Sequence, residues 1–249
     1  MPNGAPFRGT LLGMQERKMI VFGGACFIIA ALAFVAVFGY LAANFNYPDI
    51  LDGSAAEVLP RLRDGGAVMR AVWAVYAFLP LLLVPGAVGA YSTFPARRAR
   101  MLLAVVFASL GALAMCLGLM RWPSLHWTLA EAYSHAGAQA KTSLDTVFTG
   151  MNLYLGNYLG EFLGETMLAG FFLLSGLSML DDTRFPKWLG WSGVGFSLLF
   201  LIGAFRNVTS AVQVIADINN ALLPLWLIMM GAALIWRSKA SEPHPPSPA

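Results

Sequence analysis

Apolar residues run in six long stretches, near residues 19–43, 71–91, 101–120, 158–180, 188–205 and 221–236, and the segments between them hold most of the charge. A hydrocarbon core about 30 Å thick takes roughly 17–25 apolar residues at ~1.5 Å per helical residue. Each stretch is therefore expected to cross a membrane once. The sixth is expected to begin a few turns earlier, near Val208, because Trp236 sits where an inner-interface anchor belongs. The first stretch exceeds the roughly 7–15 apolar residues of a signal peptide and reads as a retained helix. Two connecting segments carry helical patterns of their own. Ser54 followed by Glu57 matches a capping box and predicts a short surface helix over 55–63, interrupted at Pro60. Leu144, Val147, Phe148, Met151 and Leu155 recur at helical spacing. They predict either an interfacial amphipathic helix or an outward extension of the fourth span.

The expected fold is an all-α bundle of six transmembrane helices with short amphipathic helices in two long outer loops. Residues 1–18 form an N-terminal segment, 19–236 the bundle and 237–249 a tail. Residues 238–249 hold four prolines and no apolar periodicity, so disorder is expected there.

Composition narrows the class. The chain is 58% hydrophobic and 12% charged, with mean hydropathy +0.66. Soluble domains carry roughly 25% charged residues, so a water-soluble globule is excluded. The apolar content also excludes a disordered chain, and two cysteines exclude a disulfide scaffold. Lys+Arg exceed Asp+Glu by 16 − 13 = 3. No basic run with interleaved aromatics points to nucleic acid.

The sorting of charge is more informative than its sum. Arg8, Arg17, Lys18, Arg97, Arg98, Arg100, Arg184, Lys187, Arg237 and Lys239 fall on one side of the spans. Arg61, Arg63, Arg70, Arg121, Lys141 and Arg206 fall on the other, in longer loops. Lys and Arg mark cytoplasmic loops, so both termini are expected in the cytoplasm and the longer loops outside. The bilayer is then the first partner. A membrane-protein partner or a second copy of the chain remain candidates. No motif repeats between the two halves of the chain.

The chemistry-bearing residues cluster at the outer ends of the spans. Glu161 and Glu165 are four residues apart on the fourth, so they share a helical face. Counted back from Leu180, Glu161 lies roughly 29 Å up, near the outer boundary. Ionisable groups at that depth face a partner or a water-filled cavity. Arg121, Arg206 and Arg70 lie at similar depth on the third, fifth and second spans, and Asp217, Asn219 and Asn220 open the sixth. Trp73, Trp122, Trp127, Tyr154 and Tyr158 are expected to ring this layer as an interfacial belt. Gly156, Gly160 and Gly164 form a stripe that admits a close helix neighbour, expected to be the third span with its Arg121. Pro80, Pro85 and Pro224 interrupt the second and sixth spans, where they can kink helices around a cavity.

Several chemistries lack their residues. The histidines are His126, His135 and His244, none inside a predicted span, so neither a bis-histidine haem nor a buried Ser/His dyad is expected. His126 and His135 flank Glu131, but their spacing does not place both on one helical face, and they read as solvated loop residues rather than metal ligands. Cys26 and Cys116 differ in depth by more than ~10 Å. Disulfide Cα atoms approach within about 7 Å, so both read as free apolar fillers. No Gly-x-Ser-x-Gly, phosphate-cradling loop or aspartate cluster for magnesium occurs.

Four segments carry a family resemblance: Asn46-Tyr47-Pro48; Leu117-Gly118-Leu119-Met120-Arg121-Trp122-Pro123; Tyr154-Leu155-Gly156 with Leu159-Gly160-Glu161; and Trp188-Leu189-Gly190. In these the chain resembles the prokaryotic membrane proteins grouped as domain of unknown function 4386, from about Lys18 to Trp236. The resemblance implies a prokaryotic cytoplasmic membrane and six or more helices, and implies no activity. It marks Arg121 and Glu161, where the charge argument also leads.

The expected function is that of an interaction, accessory or structural membrane protein without cofactor, metal or catalytic residues. Its polar cluster (Glu161, Glu165, Arg121, Arg206, Asp217, Asn220) then acts mainly as an ion-pair layer. The alternative is a small-solute or ion carrier in which desolvated Glu165 and Glu161 bind a cation or carry a proton. An intramembrane enzyme is the third alternative.

Overall fold

A computed structural model describes residues 5–239, with side chains from residue 13 to 238. The first residues of the N-terminal segment and the tail from residue 240 lie outside the described residues; disorder was expected from residue 237, but the last helix continues through Lys239.

Six helices are long and apolar enough to cross a membrane: Gly13–Phe45, Gly66–Thr93, Pro95–His135, Ala138–Leu180, Lys187–Asn207 and Ser210–Ser238. The first lies within α1 (Ala5–Phe45). A short α2 (Ala55–Asp64) occupies the loop that follows. The second crossing joins α3 (Gly66–Phe78) and α4 (Leu83–Thr93) through a 3-10 turn at Leu79–Leu82. The third is α5 (Arg98–Met120), continued by a π turn at Trp122–His126 into α6 (Trp127–His135). The fourth runs from α7 (Ala138–Met151) through a π-helical segment, Asn152–Leu163, into α8 (Gly164–Leu180). The fifth is α9 (Lys187–Ala204), and the sixth contains α10 (Gln213–Lys239).

The fourth span therefore extends outward, resolving the choice left by the Leu144–Leu155 pattern. α2 runs unbroken through Pro60, and no side chain caps it at Ser54. It is amphipathic, as expected: Ala55, Val58, Leu59 and Leu62 are buried, while Glu57, Pro60, Arg61 and Arg63 are exposed. Of the prolines, Pro80 alone sits at a break in its span, while Pro224 lies inside α10.

The packing inverts the soluble pattern. On α5 the buried positions are small (Ala104, Ala108, Gly111, Ala112), whereas Leu103, Leu110 and Leu113 face outward, half exposed. Lipid tails are as apolar as leucine, so burying leucine drives nothing there, and small residues bring backbones together instead. Gly23 of α1 meets Gly89 of α4, and Gly24 meets Gly231 of α10; a Cβ at Gly23 would lie 2.8 Å from the Gly89 Cα. Gly176 of α8 packs on Gly190 and Gly193 of α9 in the same way.

Two apolar cores result. One fills the bundle around Phe27, Phe171, Phe172, Trp226 and Met230. The other lies at the opposite end from the short turns. There α2, α6 and α7 form a cap over the ends of α1 and α3 around Phe45, Leu59, Trp73, Trp122 and Phe148. At the short-turn end, Arg97 and Arg100 bind Asp181 at 3.1 and 2.8 Å, and Arg184 binds Asp182 and donates to the Thr93 carbonyl. The hydrogen bond from Arg100 holds the Asp181 carboxyl below its ordinary range. Cys26 and Cys116 are free and buried.

Candidate functional site

Beneath the cap the helices leave a cavity of about 130 Å³. Its upper wall is polar: Tyr47, Tyr76, Arg121, Glu161, Glu165, Arg206, Asn219 and Asn220. Its floor is apolar, with Ala30, Phe34, Leu79, Pro80, Leu83, Phe200 and Leu227.

Local sequence explains how the wall is set. Asn46, at φ 56°, ends α1 in the left-handed region that Asn tolerates better than most residues. That turn delivers Tyr47 to the cavity, with its hydroxyl 3.4 Å from that of Tyr76. Burial pushes the Tyr47 phenol up from its ordinary value, so it remains a neutral hydroxyl. Pro123 has no N–H to donate to the helical ladder, and the chain closes the turn as a wider loop, with His126 N donating to Arg121 O at 2.8 Å. Asn152–Leu163 is likewise π-helical. Such i→i+5 geometry is rare and concentrates at functional sites. Gly156 and Gly160, lacking Cβ atoms, offer little resistance to it.

The carboxylates close on one arginine. Arg206 grips Glu165 bidentately, Nη1 to Oε2 at 3.0 Å and Nη2 to Oε1 at 2.8 Å, and its Nε donates to Glu161 Oε2 at 3.2 Å. Asn207 Nδ2 donates to the same Glu161 oxygen at 3.0 Å and to the Asn157 carbonyl at 2.9 Å. Glu161 and Glu165 thus share a face as expected, but it is the face toward α9, and Arg121 is not their partner.

Arg121 is only 5% exposed, yet it has no carboxylate within 4 Å among the described residues. Its Nε donates to Asn152 Oδ1 at 3.1 Å and its Nη1 to Gly118 O at 2.6 Å. Asn152 in turn donates to the Leu51 carbonyl, tying this arginine to the loop after α1. Taken together, the layer holds two guanidinium and two carboxylate groups. Arg206 hydrogen-bonds both carboxylates, while Arg121 bonds neither and lies only within longer electrostatic reach of Glu161.

The glycine stripe is consumed within the chain. Gly156 lies under the Arg121 guanidinium, Gly160 against Gly118, and Gly164 against Met115 and Gly111. Two expected members of the layer stand apart. Asp217 is exposed and bonds Gln213, and exposed Arg70 donates to the Pro123 carbonyl over the Trp127 ring. Asn220 lines the cavity, and so does buried Asn219, whose Nδ2 donates to Leu199 O while its Oδ1 has no partner.

The aromatic belt also needs correction. Tyr154 and Tyr158 are exposed, but Trp73 and Trp122 are 0% and 1% exposed, stacked at 4.6 Å between centroids on the cavity wall. The cap covers them, which a tryptophan at an expected interface depth does not reveal. His126 is not solvated either. It is fully buried between Trp122 and Phe148 at 4.7 Å, with both ring nitrogens unpartnered, while His135 is exposed. Burying a polar group without a partner costs about 1–3 kcal/mol. His126→Phe is therefore expected to raise the melting temperature in detergent, and a lower one would show that the ring nitrogens have partners. No group of three metal-ligating side chains occurs among the described residues.

Fold and cavity together define a multi-pass membrane protein with an internal polar-over-apolar chamber. The family model for a domain of unknown function (DUF4386) matches residues 22–231, and the chain belongs to that family. No curated protein matches the chain. No solved structure matches it. Three of the four resembling segments supply the cavity: Tyr47; Gly118, Arg121 and Trp122; and Gly156, Gly160 and Glu161. The fourth places Gly190 against α8 instead.

Proposed function

We propose that this chain is a non-enzymatic binding protein of a prokaryotic cytoplasmic membrane, both termini inside, that takes a small ligand into the cavity beneath its outer cap. One observation carries this reading: Arg121 is buried, charged and without a carboxylate within 4 Å among the described residues, and it stands on a cavity wall. Buried charges in proteins are paired or they serve a ligand. The sorting of Lys and Arg supports the orientation.

The polar cluster then divides by role. Glu161, Glu165 and Arg206 satisfy one another and act as scaffold between the fourth and fifth spans. A carrier working through these carboxylates draws less support, because Arg206 and Asn207 already hold them. A docking role for the glycine stripe also draws less support, because the third span fills it.

Native mass spectrometry of protein extracted in mild detergent tests the reading. Wild type is expected to carry a small bound mass. Arg121→Gln is expected to lose it, and so is Ala30→Leu, which fills the cavity floor. Folded wild type with no bound mass, or the same mass in all three proteins, would overturn the proposal.

A further inference from the structure

Resting on that reading of the cavity, we propose that the ligand is a small organic monocarboxylate with a short apolar tail. Its carboxylate would be received by the Arg121 guanidinium. The unused polar groups of this wall are mostly donors. No hydrogen bond among the described residues uses Arg121 Nη2, since Nε and Nη1 serve Asn152 and Gly118. Trp73 and Trp122 line the cavity almost fully buried, and the Nε1 of each lacks a partner. The Arg121 guanidinium carbon lies 5.1 Å from the centroid of the Trp122 ring, which stacks on Trp73. An unmet buried donor is costly, and an anionic acceptor at Arg121 Nη2 meets it. The other polar wall offers no equal attraction for a cation, because Arg206 binds both carboxylates.

Size and charge restrict the anion. A cavity of about 150 Å³ accommodates benzene, so one of about 130 Å³ takes a tail near that size and not the acyl chains of a membrane lipid. The layer is neutral as a set, two guanidinium against two carboxylate groups. A monoanion leaves one excess charge and a phosphate dianion two, and a planar carboxylate suits the flat guanidinium fork. The floor residues Phe34, Leu79, Leu83 and Leu227 offer no partner to a second polar group.

The test titrates detergent-purified protein with benzoate, hexanoate, benzamide, benzylamine and inorganic phosphate, following tryptophan fluorescence and calorimetric heat. Benzoate or hexanoate is expected to bind saturably, with benzamide at least about tenfold weaker, since a hydrogen bond to a charged group is worth about 1.5–3 kcal/mol. Arg121→Gln is expected to weaken carboxylate binding at least about tenfold, and Arg121→Lys to recover part of it. If Arg121→Gln does not fold, Ala30→Leu is expected to exclude the tail with every charge in place. Benzylamine or phosphate binding more tightly than both carboxylates would overturn the assignment, and so would carboxylate binding indifferent to Arg121. A bound mass lost with Arg121→Gln, in protein that takes neither benzoate nor hexanoate, would overturn the ligand class alone. No bound mass and no carboxylate binding would overturn the binding reading with it.

Discussion

Arg206→Gln is expected to lower the melting temperature by roughly 6–20 °C. The argument starts from the geometry at Glu165, where two parallel hydrogen bonds of 2.8 and 3.0 Å fix the guanidinium, while a third at 3.2 Å reaches Glu161. The side chains are only 16%, 13% and 26% exposed, so water cannot replace the lost donors. Breaking a buried pair by removing one partner costs about 3–5 kcal/mol. At about 2–4 °C per kcal/mol for a chain of this size, that gives the stated range. Here the loss strands Glu165 and leaves Glu161 with the Asn207 amide alone. Asp181→Asn is the natural control. Its arginine partners are 45% and 33% exposed and its own side chain 39%, and exposed pairs are worth about 0–1 kcal/mol. Thermal melting of both variants in one detergent checks the contrast. A shift at Arg206 no larger than at Asp181 would show that the layer does not hold the spans together.

Gly118→Ala is expected to cost about 1–3 kcal/mol, a large effect for one methyl group. Its Cβ would fall 2.6 Å from the Gly160 Cα and 2.8 Å from the Leu155 carbonyl oxygen. Both are backbone atoms, so no side-chain rotation relieves the clash, and α5 must move away from the π-helical segment. Gly118 also supplies the carbonyl that Arg121 Nη1 uses, so the displacement reaches the cavity wall. Gly195→Ala, with nothing within 4 Å, is expected to be neutral or to gain up to about 1 kcal/mol from helix propensity. Melting of the two variants beside wild type decides it, and equal melting would contradict the close packing of these helices.

The spans were legible in the sequence because each must bury its backbone in hydrocarbon with some twenty apolar residues. Legibility failed where the helices leave the membrane. Residues 121–135 are polar enough to read as loop, yet they continue the third span into the cap, while the Leu144–Leu155 pattern left the fourth span's extension as one of two choices. The depth of Glu161, Glu165, Arg121 and Arg206 could be counted from the apolar runs. Their pairing could not, because it depends on rotation about each helix axis. The π-helical segment Asn152–Leu163 shifts that rotation on the run that carries both glutamates. The glycine stripe did point to the third span, since small residues at four-residue spacing specify close approach whatever the exact phase. Trp73, Trp122 and His126 were read in the wrong surroundings. What buries them is α2, α6 and α7 folded across the bundle, a tertiary event without a local signal. The cavity is a further step removed, being lined by residues of all six spans that only the packing brings together.

The account assigns Arg206 to the fold and Arg121 to a ligand. Melting of Arg121→Gln beside wild type and Arg206→Gln, with bound small molecules dialysed away, tests that division most directly. Gln keeps a donor for Asn152 or Gly118 and removes a charge that no carboxylate contacts, and groups retained for function rather than stability tolerate such replacement. The account predicts that Arg121→Gln melts within a few degrees of wild type while Arg206→Gln falls well below both. Arg121→Gln falling as far as Arg206→Gln would make both arginines parts of one structural layer, and would contradict it.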